Sequence, residues 1–268
     1  MRAIPYDRYL FAAGLFVFGA LNLAFGAFNM QWQPIAGIPL QSELARLSGA
    51  VSILAALGLL VPRTAAWAAV TSAAALASLY WLPQVVALSH VTPSVGAYLP
   101  ISEDTAMACG ALVMAALTVK GSRLERAFPP VVATVARIGF GLACVLFGIS
   151  HFIYADFTAQ MIPGFVPFHL AFAYITGCGH LLAGLAIVSG VMARLAATLE
   201  AVMMSLFVVL VHIPMLVAGP KPEALQIDWT MLAAAMTLSA SAWLVARSLG
   251  DKPWLLKPGV AWQSASKA

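Results

Sequence analysis

Residues 137–151 read RIGFGLACVLFGISH, and residues 8–22 read RYLFAAGLFVFGALN. The two stretches align at a constant offset of 129 (137 − 8 and 151 − 22), which pairs Arg8, Phe18, Gly19 and Asn22 with Arg137, Phe147, Gly148 and His151. In the later stretch Gly141, Cys144, Gly148 and His151 recur at steps of three and four. On a helix they form one stripe of small residues ending in an imidazole. Gly177, His180 and Gly184 repeat the pattern further on, as do Ser205, Val208, His212 and Met215. A polar group on such a stripe is expected to point at neighbouring helices, because lipid would leave it unpaired.

The rest of the chain is as apolar as these stretches. Of 268 residues, 62% are hydrophobic and 9% charged, with a mean hydropathy of +0.92; soluble domains carry about 25% charged residues. The composition is that of an integral membrane protein. The net charge of +4 is spread thinly through turns and the tail, and no basic patch interleaved with aromatics suggests nucleic acid. Cys109, Cys144 and Cys178 all lie in apolar runs without metal spacing and read as small buried hydrophobes.

Eight spans follow from the apolar runs: 9–28, 42–61, 65–88, 103–119, 131–152, 170–188, 195–217 and 229–245. Pro83 is expected to kink the third, and Pro93, Gly96 and Pro100 mark a loop at 89–101 that leaves the fourth span short. The duplication continues beyond the first spans. Pro39, Gly49, Leu54 and Leu57 match Pro167, Gly177, Leu182 and Leu185 at an offset of 128, and Pro83 matches Pro214 at 131. Four spans per copy return the chain to the same side, so the expected fold is an all-α membrane protein of eight transmembrane helices in two parallel four-helix-bundle repeats. The domains are then 1–126, 127–250 and a tail at 251–268. Trp254 and Trp262 among the tail lysines suit an interfacial anchor.

The second copy resembles the DoxX family of membrane proteins. The resemblance rests on Arg137-Ile-Gly139, the Phe147-Gly148-Ile-Ser-His151 end of the fifth span, His180-Leu-Leu-Ala-Gly184-Leu185 on the sixth, and Arg194-Leu-Ala-Ala opening the seventh. It implies a compact four-helix membrane fold. Some relatives are linked to quinone-coupled sulfur oxidation, while most have no assigned activity. Where the family commonly carries a Lys and a Glu beside the glycines of its first two helices, this chain has His151 and His180. The resemblance therefore implies two polar groups on facing helices without their usual ion pair.

Three readings of the histidines compete. A quinone or other lipophilic redox ligand suits imidazole, which donates to a carbonyl oxygen and titrates near neutral pH. Its candidate site comprises His151, His180, His212, Tyr154, Asp156 and Asp228, with Glu200, Glu43 and Arg46 as secondary candidates. Glu43 and Arg46 are spaced to pair on one helix face, and Glu200 lies within reach of Arg194. A haem iron or metal is the second reading. Depth weighs against it, since His180 should sit roughly 15 Å below the outer helix ends and His151 and His212 roughly 8 Å. The third is a non-catalytic partner of another membrane protein, its histidines serving as interhelical glue. The first copy has Asn22, Ser52 and Trp81 at the corresponding places and is expected to be the less chemical half. No nucleotide-binding glycine loop, H-E-x-x-H or nucleophile elbow is present.

Topology follows from the basic residues. Arg2, Arg8, Arg63, Lys120, Arg123, Arg126, Arg194, Arg247, Lys252 and Lys257 fall on one side, while the opposite loops hold only Lys221, beside Glu223 and Asp228. By the positive-inside rule both termini are cytoplasmic and the protein lies in the inner (plasma) membrane. Cysteine scanning with an impermeant reagent on intact cells is expected to label positions between Pro93 and Pro100 and spare the link from Lys120 to Arg126. Labelling of that link from outside would reverse the topology.

Overall fold

Apolar runs of this length satisfy their backbone groups in lipid only as helices. The computed structural model describes residues 6–219 and 224–255. Among them eight helices are long and apolar enough to cross a membrane: α1 (Tyr6–Phe25), α2 (Gln41–Leu60), α3 (Ala65–Leu88), α4 (Val95–Thr118), α5 (Pro130–Ile153), α6 (His169–Ser189), α7 (Ala193–Val217) and α8 (Leu225–Ser248). Arg2, Lys221, Glu223, Lys257 and Trp262 lie outside the described residues. Leu54, Trp67, Leu182 and Leu199 are among the large apolar side chains turned outward, as a lipid-facing surface requires. The chain is a multi-pass membrane protein.

The fourth helix differs from expectation. Ser94 is extended and its hydroxyl accepts from Ala97 N–H at 3.1 Å, so the helix starts at Val95 and Pro100 falls inside it. Near a capped first turn a proline forfeits one backbone bond, and the helix continues. Glu103 and Asp104, read from sequence as a helix start, therefore lie well inside α4.

Prolines shape two other helices. Both α3 and α7 widen into a π turn just before a proline, at Ala77–Trp81 ahead of Pro83 and at Val208–His212 ahead of Pro214. A proline cannot donate to the carbonyl four residues back, and the wider turn makes room for its ring. The two turns share the offset of 131 (208 − 77). Leu40 and Phe168, each following a proline at the start of α2 and α6, share left-handed backbone with φ of 54° and 57°. Their offset is 128 (168 − 40).

Packing follows the chain, with one exchange. Neighbours in sequence pack together from α1 to α8, but the main partner of α1 besides α2 is α8, and α5 packs extensively on α4 and hardly on α8. Helices α4 and α8 also pack on each other, and they are the two most enclosed spans. One hydrophobic core runs from Phe11 to Leu249 through both halves. Rather than two closed bundles side by side, two three-helix groups flank a shared central pair. Small side chains permit this: α8 buries Ala233, Ala234, Ala240, Ser241 and Ala242, and Gly110 of α4 lies directly against Ser241.

Close crossings at glycine fix the remaining geometry. A Cβ at Gly148 would stand 2.7 Å from Leu181 N and 2.8 Å from Gly177 O, and one at Gly19 would stand 2.6 Å from Gly49 O. Gly148→Ala is expected to lower stability by about 1–3 kcal/mol through overpacking. Gly164→Ala, with nothing within 4 Å, is expected to change it by less than about 0.5 kcal/mol. Thermal unfolding of the detergent-purified variants measures the difference, and equal effects would mean that α5 and α6 do not touch at Gly148.

Candidate functional site

The crossing of α5 on α6 sets two imidazoles against each other. Gly177 leaves room for the His151 side chain, since a Cβ there would lie 2.9 Å from His151 Cβ. The His151 and His180 rings are 4.9 Å apart between centroids, and Phe207 of α7 sits 5.7 Å from the His180 ring and 6.4 Å from that of His151. The expected gap in depth does not separate them. The outer end of α6 extends past that of α5, which stops at Ile153, and a short surface helix at Ala155–Met161 packs against the extension.

Behind the rings lies a carboxyl. His180 Nδ1 is 2.6 Å from Glu200 Oε1, with both side chains almost fully buried. That distance marks a short hydrogen bond between imidazole and carboxyl. Cys144 donates to the same oxygen at 3.5 Å, while Glu200 Oε2 is buried and has no partner among the described residues. His151 Nδ1 is 2.8 Å from Phe147 O. A carbonyl only accepts, so Nδ1 carries the hydrogen and Nε2 is left for another partner. Exposure falls inward, from half-buried His151 through His180 at 3% to Glu200 at 1%.

The other residues expected at this site stand apart. His212 lies on the π turn of α7 and, among the described residues, makes no hydrogen bond or ring contact with the pair. The Tyr154 hydroxyl accepts from Gly96 N–H at 3.0 Å and ties the end of α5 to the start of α4. Asp156 is exposed on the short surface helix, and Asp228 is half-buried in the first turn of α8. Glu43 and Arg46 are exposed and form no ion pair among the described residues. Arg194 leaves Glu200 to His180: it stacks 4.2 Å from the Trp254 ring and donates to Lys252 O, which fastens the start of the tail to α7.

A second polar cluster, in the first half, went unseen in the sequence. The turn at Met30–Trp32 folds back into the helices, so that Asn29, Trp32 and Gln33 are buried. Asn22 and Asn29 both donate to Gln33 Oε1, at 2.9 and 3.1 Å, and Gln33 donates to Ser48 at 3.2 Å and to Leu79 O at 3.3 Å. Leu79 O is the carbonyl that Pro83, four residues on, cannot serve. Trp32 donates to Glu103 at 2.7 Å, Gln84 to Gln31 O, and Asn29 to Tyr80 at 3.3 Å. The available signals were Glu103 and Asp104 adjacent in an apolar run, and Asn29 and Gln33 in a loop free of Lys and Arg.

Residues 132–213 match the DoxX family model, spanning α5, α6 and most of α7 and thus His151, His180 and Glu200. The match covers 82 of the 268 residues (213 − 132 + 1). No curated protein and no solved structure matches the chain. Among the described residues, no three His, Cys, Asp or Glu side chains converge in a way that would hold a metal ion.

Removing one member of a buried pair strands the other. His180→Leu is expected to destabilise the protein by about 3–5 kcal/mol, and adding Glu200→Leu should restore most of the loss. Thermal unfolding of the two variants tests this. A double variant no more stable than His180→Leu would assign the loss to packing at His180.

Proposed function

We propose that the second half binds a lipophilic ligand of the quinone type, and that the His151, His180 and Glu200 series exchanges protons with it. The observation that carries this reading is the inward order of burial: a half-buried imidazole whose Nε2 has no hydrogen bond among the described residues, backed by a buried imidazole hydrogen-bonded to a buried carboxyl. Ionisable groups inside a membrane bundle are costly and commonly mark a relay or ligand path. The surroundings fit the headgroup. Phe152 is exposed beside His151, and Phe207 is half-buried against both imidazoles.

A quinone, when bound, would supply carbonyl oxygens that accept hydrogen bonds and, in reduced form, hydroxyls that donate them. Neutral His151 accepts at Nε2 and protonated His151 donates there, so the same nitrogen serves both forms. His180, 4.9 Å away between ring centroids, is the next proton station, and its Nδ1 is hydrogen-bonded to Glu200. Water is kept away by Phe147, Phe207 and the close α5–α6 crossing. His212, Tyr154, Asp156 and Asp228 are not needed for this centre. In our reading the chain is a tandem duplication in the inner membrane with both termini cytoplasmic, supported by the matched π turns, the matched left-handed residues and the one-sided basic charge.

Protein purified from native membranes is expected to release a lipophilic redox compound on solvent extraction. His151→Gln, which keeps volume and polarity, should lose most of it while its melting temperature shifts by less than about 3 °C. Wild-type protein that carries no such compound, together with a His151→Gln variant that serves the cell equally well, would sink the ligand reading. It would leave the histidines as interhelical glue in a partner of another membrane protein.

A further inference from the structure

The starts of α1 and α3 and the ends of α4 and α8 meet around a recess of about 400 Å³. Arg8 of α1, Lys120 just past α4 and Arg247 in the last turn of α8 line it, together with Pro62 and Ala65 at the link between α2 and α3. These cations outnumber the acids that meet them. Asp7 has both oxygens engaged: Oδ1 accepts from the Arg8 backbone N–H at 2.7 Å, and Oδ2 pairs with Arg247 Nε at 3.0 Å. The Arg8 and Lys120 side chains form no ion pair among the described residues. Arg8 Nε is buried without a partner there, and its guanidinium carbon lies 5.5 Å from the centre of the Tyr9 ring. Glu125, five residues after Lys120, accepts from Gly121 N–H at 2.8 Å, and Asp251 is exposed and forms no ion pair among the described residues. Three cations against one paired carboxylate give the recess a charge of +2 (3 − 1).

We propose that this recess binds an anionic phosphate group, that of a lipid headgroup. Guanidinium forks match phosphate oxygens in pairs, and a lysine ammonium adds a point charge beside them. A volume of about 400 Å³ is within the range of small-ligand sites. The position favours a lipid over a free anion. All four helix termini lie where a bilayer places its headgroups, and Tyr6 and Tyr9, exposed in the first turn of α1, suit that interface. Leu117 lies three residues deeper on α4 than Lys120 and gives the recess an apolar wall. Leu60 and Val61, immediately before Pro62, are turned outward and offer acyl chains an apolar surface. A headgroup that adds a quaternary ammonium to its phosphate brings a positive charge to a positive recess and binds less well, so the geometry selects lipids with net negative charge. Basic recesses between membrane helices are known to hold such headgroups. The site lies at the opposite end of the helices from His151 and does not depend on the ligand site proposed for the second half.

The test is melting of the full chain, purified in a neutral detergent and delipidated, on titration with phosphatidylglycerol, phosphatidylcholine or inorganic phosphate at equal pH and ionic strength. Phosphatidylglycerol is expected to raise the melting temperature by roughly 3–6 °C at ten times its half-saturating concentration, and phosphatidylcholine by much less. Arg8→Gln and Lys120→Gln should each raise the half-saturating concentration about fivefold, the effect of one basic side chain near a headgroup. Lys120 is exposed at a helix end, so its variant carries the test if Arg8→Gln does not fold. Arg126→Gln removes one charge from the α4–α5 link outside the recess and should leave the titration unchanged. Equal stabilisation by millimolar inorganic phosphate, weakened in the same variants, would keep the recess as a phosphate site and assign it a free anion. Phosphatidylglycerol that stabilises no more than phosphatidylcholine, with no response to phosphate, would overturn the site. A response undiminished in Arg8→Gln and Lys120→Gln, or weakened as much by Arg126→Gln, would do the same.

Discussion

A polar group inside a bilayer has no water to fall back on, and that constraint orders the whole of this protein. It makes the eight apolar runs helices. It sends hydroxyls to the carbonyls of their own helix, as with Thr237 to Ala233 O at 2.8 Å and Ser241 to Thr237 O at 2.8 Å. It also decides where irregular backbone is tolerated. The carbonyl freed by Pro83 at Leu79 is met by Gln33 from another segment, so one proline in α3 and one loop glutamine 50 residues before it (83 − 33) are parts of a single structural solution.

Hydropathy makes the spans legible because membrane crossing depends on composition summed over a whole run, and most boundaries lie within a few residues of their expected places. The α4 start was illegible for a local reason: Gly96 and Pro100 carry strong turn signals, but Ser94 caps a helix that absorbs both. That single boundary hid the first-half cluster. With α4 starting at residue 103 its two carboxyls sit at a helix mouth in water; with the start at Val95 they are interior, and Asp104 is wholly buried. The histidines were easier, since His151 and His180 lie on stripes of small residues and a stripe is a property of one helix. Their third partner was not, because the side chain that meets His180 is set by how α7 packs, and in sequence Arg194 lies nearer to Glu200 than His180 does.

The exchange at the centre also has a local cause. Helix α8 buries Ala, Ser and Thr at many of its positions, and α1, α4 and α7 all pack on it. Ser205 of α7 meets Ser239 at 2.8 Å and takes the Trp243 indole N–H at 3.0 Å, which adds direction to contact that packing alone would leave loose. Asp7, in the first turn of α1, pairs with Arg247, in the last turn of α8, at 3.0 Å. Ion pairing and small-residue packing thus bind the first helix to the last, and the two halves share one core.

Similar glycine crossings in the two halves stand beside different polar residues. The helix crossings at Gly19 with Gly49 and at Gly148 with Gly177 hold the same backbone relation, and the position three residues beyond the first glycine of each pair faces the inside of its group. In one half that position is Asn22, bound into amides and hydroxyls; in the other it is His151, set against a second imidazole and, through it, a carboxyl. In both halves the close approach of the helices is at the glycines and not at the polar residues beside them. A backbone frame fixed by glycine leaves the polar residue beside it free to change, and here that freedom separates an imidazole centre from an amide one.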